Sequence, residues 1–189
     1  MTTQPFRDAL AYQRWATERL ARWIEVLPDG WLDEPISGSF PTVRASLLHM
    51  ADAERIWMQR LQGQSPKTWP SQQAGAVSEP FADYLRRSTA AFADHADRQS
   101  DPWFAAWCTF ADFTAAHHRI VNGGIVQHVV NHTSFHRGQV IGQVRQLADR
   151  AGGTTSMPAI PGTDYITWLR EQNPSLPGAD PDLERIYGG

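Results

Sequence analysis

Three histidines carry the strongest chemical signal in this chain. His132 and His136 stand four residues apart in the run His128-Val129-Val130-Asn131-His132-Thr133-Ser134-Phe135-His136-Arg137-Gly138-Gln139. At about 100° of rotation per residue, two helical positions four apart lie within about 40° of each other, so both imidazoles project from one face. The same rotation places Val121, Ile125, Val129, Gln139, Val140, Gln143 and Leu147 on that face, a stripe that must turn inward. An unpartnered imidazole there is costly to bury. Imidazole nitrogen suits zinc, nickel or iron, and an ion needs more than two protein ligands. His49 supplies a third, on a stripe shared with Ala45, Ala53 and Ile56. Three neutral histidines leave at least one coordination position for water or substrate, as catalytic zinc sites do. The plain alternative is three hydrogen-bonded core histidines with no ion, because a bare pair four residues apart is found in many ordinary helices.

The neighbours of these residues divide into groups with and without a chemical role. His128 lies about 60° from the stripe centre and reads as a flank rather than a ligand. His95, His117 and His118 read as surface residues. Asn131 and Gln139 are placed to accept an imidazole N–H, the usual support of a metal-bound histidine. Asp52, one turn from His49 and close to Glu54, would orient His49 or act as a base, or else be an exposed helix charge. Gly138 in mid-helix costs about 1 kcal/mol relative to alanine, which suggests another helix packed closely there. Arg137 is a candidate contact for a substrate carboxylate.

The elements that hold these groups are read from periodicity. Tyr12, Trp15, Ala16, Leu20, Trp23 and Leu27 step by threes and fours along a first helix from about Phe6 to Leu27, which Pro28-Asp29-Gly30 stops. A second helix runs from about Pro41-Thr42 to Leu61, ended by Gly63. Residues 63–77 have no period and read as a surface connection. A third helix follows Ser78, a candidate cap, and continues to about Arg98. The aromatic alternation between Asp101 and Arg119 fits either a short hairpin or a packed loop. A fourth helix spans about Val121 to Asp149, before Gly152-Gly153. A short extra helix near Asp164 to Arg170 precedes a proline-containing tail. The reading is all-α: a four-helix bundle over residues 1–172, with 173–189 as a tail packed on it or partly disordered.

Composition excludes several classes. Seventeen basic residues against 20 acidic ones, with no basic block, leave no electrostatic footprint for nucleic acid. No stretch approaches the ~20 apolar residues of a membrane helix, and the start lacks a secretory pattern. The one cysteine, Cys108, forms no internal disulfide, which fits a cytoplasmic location. The eight tryptophans are unusual, and such aromatics fill cores or line pockets.

The segments Gly38-Ser39-Phe40, Leu47-Leu48-His49-Met50-Ala51-Asp52-Ala53-Glu54 and Asn131-His132 through Gln139 closely resemble the DinB/YfiT-like family of bacterial proteins. The early Tyr12-Gln13-Arg14-Trp15-Ala16 and late Pro161-Gly162-Thr163-Asp164-Tyr165 extend that resemblance over nearly the whole chain. The resemblance implies an up-up-down-down four-helix bundle, often a homodimer, binding a divalent metal through the positions of His49, His132 and His136. It also implies a small-molecule substrate, because relatives include transferases and isomerases that use low-molecular-weight thiols such as bacillithiol or mycothiol, and others described as metal-dependent hydrolases. A non-catalytic protein in which the metal stabilises the bundle or senses stress stays open beside these.

Overall fold

The computed structural model describes residues 3–73, 77, 79–153 and 157–173. Its elements are helices α1 (Gln4–Glu25), α2 (Val43–Leu61), α3 (Phe81–Asp97) and the five-residue α4 (Asp101–Ala105), strands β1 (Trp107–Ala111) and β2 (His117–Val121), and helices α5 (Asn122–Arg150) and α6 (Tyr165–Gln172). The aromatic segment after α3 is therefore a short helix and an antiparallel hairpin, with Trp107 opposite Val121 and Ala111 opposite His117. Alternation puts Cys108 and Phe110 into the core while Trp107 faces outward.

Local chemistry sets the helix ends. Pro5 sits in the first turn of α1, where its missing N–H costs nothing. The Thr42 hydroxyl accepts from the Ala45 amide at 3.1 Å and caps α2. Gly63, at φ 78°, lets the chain leave α2 with its amide bonded to the Arg60 carbonyl. Pro80 stands at the N-cap of α3; the serine expected there, Ser78, lies outside the described residues. The tail from residue 174 onward also lies outside them.

The four long helices form the expected bundle, with α6 as the extra C-terminal helix. Helix α1 packs on α3 and α5, and α2 packs on the same two, so α1 and α2 occupy opposite corners. One core cluster joins the end of α1 (Leu20, Ile24), the starts of α2 and α3 (Val43, Leu47, Ala82, Leu85) and the end of α5 (Val140, Val144, Leu147). The other joins the start of α1 (Leu10), the end of α3 (Phe92, Ala96), the start of α5 (Ile125, Val126) and, at its edge, the end of α2 (Trp57, Leu61). The directions are thus up, down, down, up, and the up-up-down-down order implied by resemblance is corrected. The 26–42 loop stays at one end, its Leu27, Trp31, Leu32 and Ile36 packing in the same cluster as the end of α1 and the start of α2, so α2 runs antiparallel to α1. The 62–80 connection must then return the full length of α2, about 28 Å at 1.5 Å per residue. That return path carries Trp69 and Ser71 across the face where His49 lies.

One further expectation changes. Gly138 has no atom within 4 Å of where a Cβ would stand, so no helix packs closely on it. Close approach occurs at Gly123, where a Cβ would meet the Phe6 ring at 2.7 Å. The tryptophans largely fill the core or line the site as expected: Trp23 and Trp168 are buried, Trp15, Trp31, Trp57 and Trp103 are half-buried against the core clusters, Trp69 lies beside His49, and Trp107 is exposed. Among the described residues, no helix is long and apolar enough to cross a membrane.

Candidate metal centre

Antiparallel packing of α2 on α5 brings together what lies 83 positions apart in sequence. His49 Nε2 approaches His132 Nε2 to 3.1 Å. The His136 ring lies 4.6 Å from that of His49 and 4.3 Å from that of His132, and the candidate ligand atoms of all three lie within 4.8 Å of one another. Among the described residues this group could hold a metal ion.

The donor set fits a divalent ion. Imidazole–metal distances of about 2.0–2.1 Å put tetrahedrally disposed nitrogens about 3.3 Å apart, a spacing the observed range brackets. Burial pushes His49 down to about 4, helped by neighbouring His136. Burial likewise pushes His132 down to about 3, with His136, His49 and His128 adding to it. His136 is lowered by burial against the support of Gln139. All three are therefore neutral at pH 7, the form that offers a lone pair to a metal. The carboxamide oxygen of Gln139 accepts from His136 Nδ1 at 2.7 Å, which turns the His136 Nε2 lone pair toward the other two rings. The Nδ1 atom of His132 is buried without a hydrogen-bond partner among the described residues.

Aromatic groups wall the centre. Phe40 lies 4.8 Å from His49 and 5.7 Å from His136, Trp69 lies 5.5 Å from His49, and Phe135 lies 5.1 Å from His136. The loop bearing Phe40 is tied to α5, since Gln143 donates to the Phe40 carbonyl and accepts from the Ser46 hydroxyl. Gln139, expected to support an imidazole, does so; Asn131 instead accepts from Gln127 on the outer surface. His128 flanks the centre, its ring 5.7 Å from that of His132 and 5.1 Å from Trp57.

Other expected site residues lie elsewhere. Asp52 is not an exposed charge: it is 3% exposed, accepts from the Ser71 amide and hydroxyl and from Tyr84, and makes no hydrogen bond to His49. It ties the 62–80 return path to α2. Arg137 is 2% exposed and donates to the Tyr12 and Ser134 hydroxyls, which removes it from the surface role of gripping a substrate. His95 is half-buried against Trp103 rather than free on the surface, whereas His117 and His118 are exposed. Glu54, given no role of its own by sequence, is buried with Gln13 and Thr89 donating to it.

A DinB family model matches residues 1–163 of the chain. Among solved structures, a DinB-like protein from Bacillus cereus superposes with a TM-score of 0.61 at 19% identity, covering 85% of this chain and 97% of its own. YfiT from Bacillus subtilis, described as a probable metal-dependent hydrolase with an unusual four-helix bundle topology, gives 0.56 at 18% identity, covering 81% and 91%. No curated protein matches the chain. The length of the family match, on a bundle that shares its fold with these structures, means that the chain belongs to the DinB family.

Proposed function

We propose that this protein is a metal-dependent hydrolase of small molecules, with His49, His132 and His136 holding one divalent ion. The observation that carries the reading is the convergence of three neutral imidazoles, their candidate ligand atoms within 4.8 Å of one another, on a partly open face. The likeness to YfiT, itself described as a metal-dependent hydrolase, supports it. When bound, such an ion supplies Lewis acidity and lowers the pKa of a water near it. The chain's own groups supply the rest. Gln139 fixes the His136 tautomer, Phe40 and Trp69 limit the water that reaches the centre, and exposed His128 offers a neutral imidazole to accept a proton at the mouth. Three nitrogen donors suit zinc, nickel or iron.

Elemental analysis of the purified protein, then turnover of ester and amide panels with and without chelator, tests the reading. Chelator-sensitive hydrolysis is the expected result. A parallel panel of electrophiles with low-molecular-weight thiols asks whether a thiol replaces water as nucleophile. Stoichiometric metal without turnover in either panel would leave a structural ion and overturn the enzymatic reading.

A further inference from the structure

About three turns along α2 from His49 lies a cation that has no hydrogen-bond or ion-pair partner among the described residues. Arg60, in the last turn of α2, is 7% exposed, yet its guanidinium makes no hydrogen bond or ion pair among the described residues, and its Nε is buried without a partner. Aromatic faces hold it instead: Cζ lies 4.5 Å from the Trp57 and Phe110 ring centroids and 5.9 Å from that of Phe113. The carboxylate that acts on it electrostatically, Asp112, is occupied by Thr114, the Ala116 amide and His118. The other deeply buried arginine, Arg137, donates to two hydroxyls through one Nη, its other Nη having no partner among the described residues. A largely buried guanidinium to which the described residues give no acceptor leaves its remaining N–H donors to solvent or to an arriving carboxylate.

Two rows of rings connect this cation to the metal centre. On one side Trp57 touches His128 at 5.1 Å, and His128 faces His132 at 5.7 Å. On the other Phe113 touches Trp69 at 5.0 Å, and Trp69 faces His49 at 5.5 Å. The rows meet at Arg60 and again at the three histidines. On α2 the residue midway between His49 and Trp57 is Ala53, buried on the same helix face. Phe113 is 42% exposed and His128 is exposed, so solutes reach the surround. Trp57, over which the guanidinium stacks, is eight residues from His49, about 12 Å along the axis.

We propose that Arg60 anchors the carboxylate of an apolar, roughly 12 Å long organic acid whose reacting end lies at the three histidines. This assignment of substrate class rests on the hydrolase reading above. The aromatic rows take the apolar body, Arg60 takes the anionic end, and neutral analogues lose the anchor.

The test compares 6-phenylhexanoate, long enough to span the distance, with 6-phenylhexanamide, followed by tryptophan fluorescence in wild type, Arg60→Met and Arg60→Lys, each zinc-loaded and chelator-stripped, with metal content measured separately. Wild type should bind the acid at least about tenfold more tightly than the amide. Arg60→Met should abolish that preference at unchanged metal content, and Arg60→Lys should keep part of it, losing the two-pronged contact. Should Arg60→Met fail to fold, the reduced preference of Arg60→Lys carries the test. Equal binding of acid and amide by wild type would overturn the proposal, as would a preference that survives Arg60→Met. A preference lost on chelation but kept in Arg60→Met would place the carboxylate on the metal, ending the role of Arg60 while leaving the metal reading intact. Absence of metal binding, with the preference still lost in Arg60→Met, would instead end the hydrolase reading and leave the anion site standing.

Discussion

Two of the places where the bundle buries polar groups are built on opposite principles. Between α2 and α5, three imidazoles direct ring nitrogens toward one another, with His49 and His132 nitrogens 3.1 Å apart. Between α1, α2 and α3, Glu54 takes one hydrogen bond from Gln13 at 2.8 Å and others from Thr89 at 2.9 Å, and Thr89 also bonds Thr17 at 3.1 Å. The second network supplies donors to the Glu54 carboxylate from within the chain; the first concentrates ring nitrogens, and outside the trio the described residues give a hydrogen-bond partner to His136 but none to the buried His132 Nδ1. A buried polar cluster is a candidate ligand site when its atoms share a sign and structural when donors and acceptors alternate.

Removing one imidazole should separate the two most sharply. His132→Ala is expected to lower zinc affinity by more than about a hundredfold, beyond the loss typical of a supporting residue. Calorimetric titration checks this, while circular dichroism should show the bundle intact because the Glu54 network is untouched.

The two regions should also respond to pH in opposite directions. Glu54 is pushed up to about 7 by burial, against its hydrogen bonds from Gln13 and Thr89 and the charge of Arg137. Between an unfolded value near 4.5 and about 7 the native chain holds the extra proton, so stability falls as pH rises through that window, by up to about 3 kcal/mol. His49 and His132 are lowered, so in chelator-treated protein their contribution is lost as pH falls below about 6.5 toward their folded values. The two windows overlap between about 4.5 and 6.5, so in urea melts from pH 4 to 9 the Glu54 contribution offsets part of the histidine contribution, and Glu54→Gln should make the rise of stability with pH across that range steeper; an unchanged slope would mean that Glu54 does not hold the extra proton.

Gln139→Ala should have a smaller effect, weakening metal binding about tenfold by freeing the His136 ring, with little change in the melting point of the metal-free protein. Smallest of all, Gly138→Ala should stabilise the chain by up to about 1 kcal/mol, since open space surrounds the site on an exposed helix face. Destabilisation there would restore the close helix contact that the sequence suggested.

Much of the histidine centre was legible because helical rotation places His132 and His136 on one face from local spacing alone. His49 could be proposed as a partner from its inward stripe, and the bundle brings it there. The Glu54 network was not legible: nothing local distinguishes Glu54 from the surface acids around it, and its partners Gln13 and Thr89 are 41 and 35 positions away. Asp52 was misread for the same reason. Its burial comes from the returning 62–80 segment, which has no periodicity to announce where it runs.

The sequence by itself determined the helices, their ends and the inward faces, since caps, glycines and apolar spacing act within one or two turns. Tertiary structure decided the up, down, down, up arrangement, and with it which histidine meets which. It also decided that Arg137 is spent on Tyr12 while Arg60 is left with aromatic faces alone. Those outcomes depend on which helices become neighbours, a matter of how whole faces pack and how far each connection must travel.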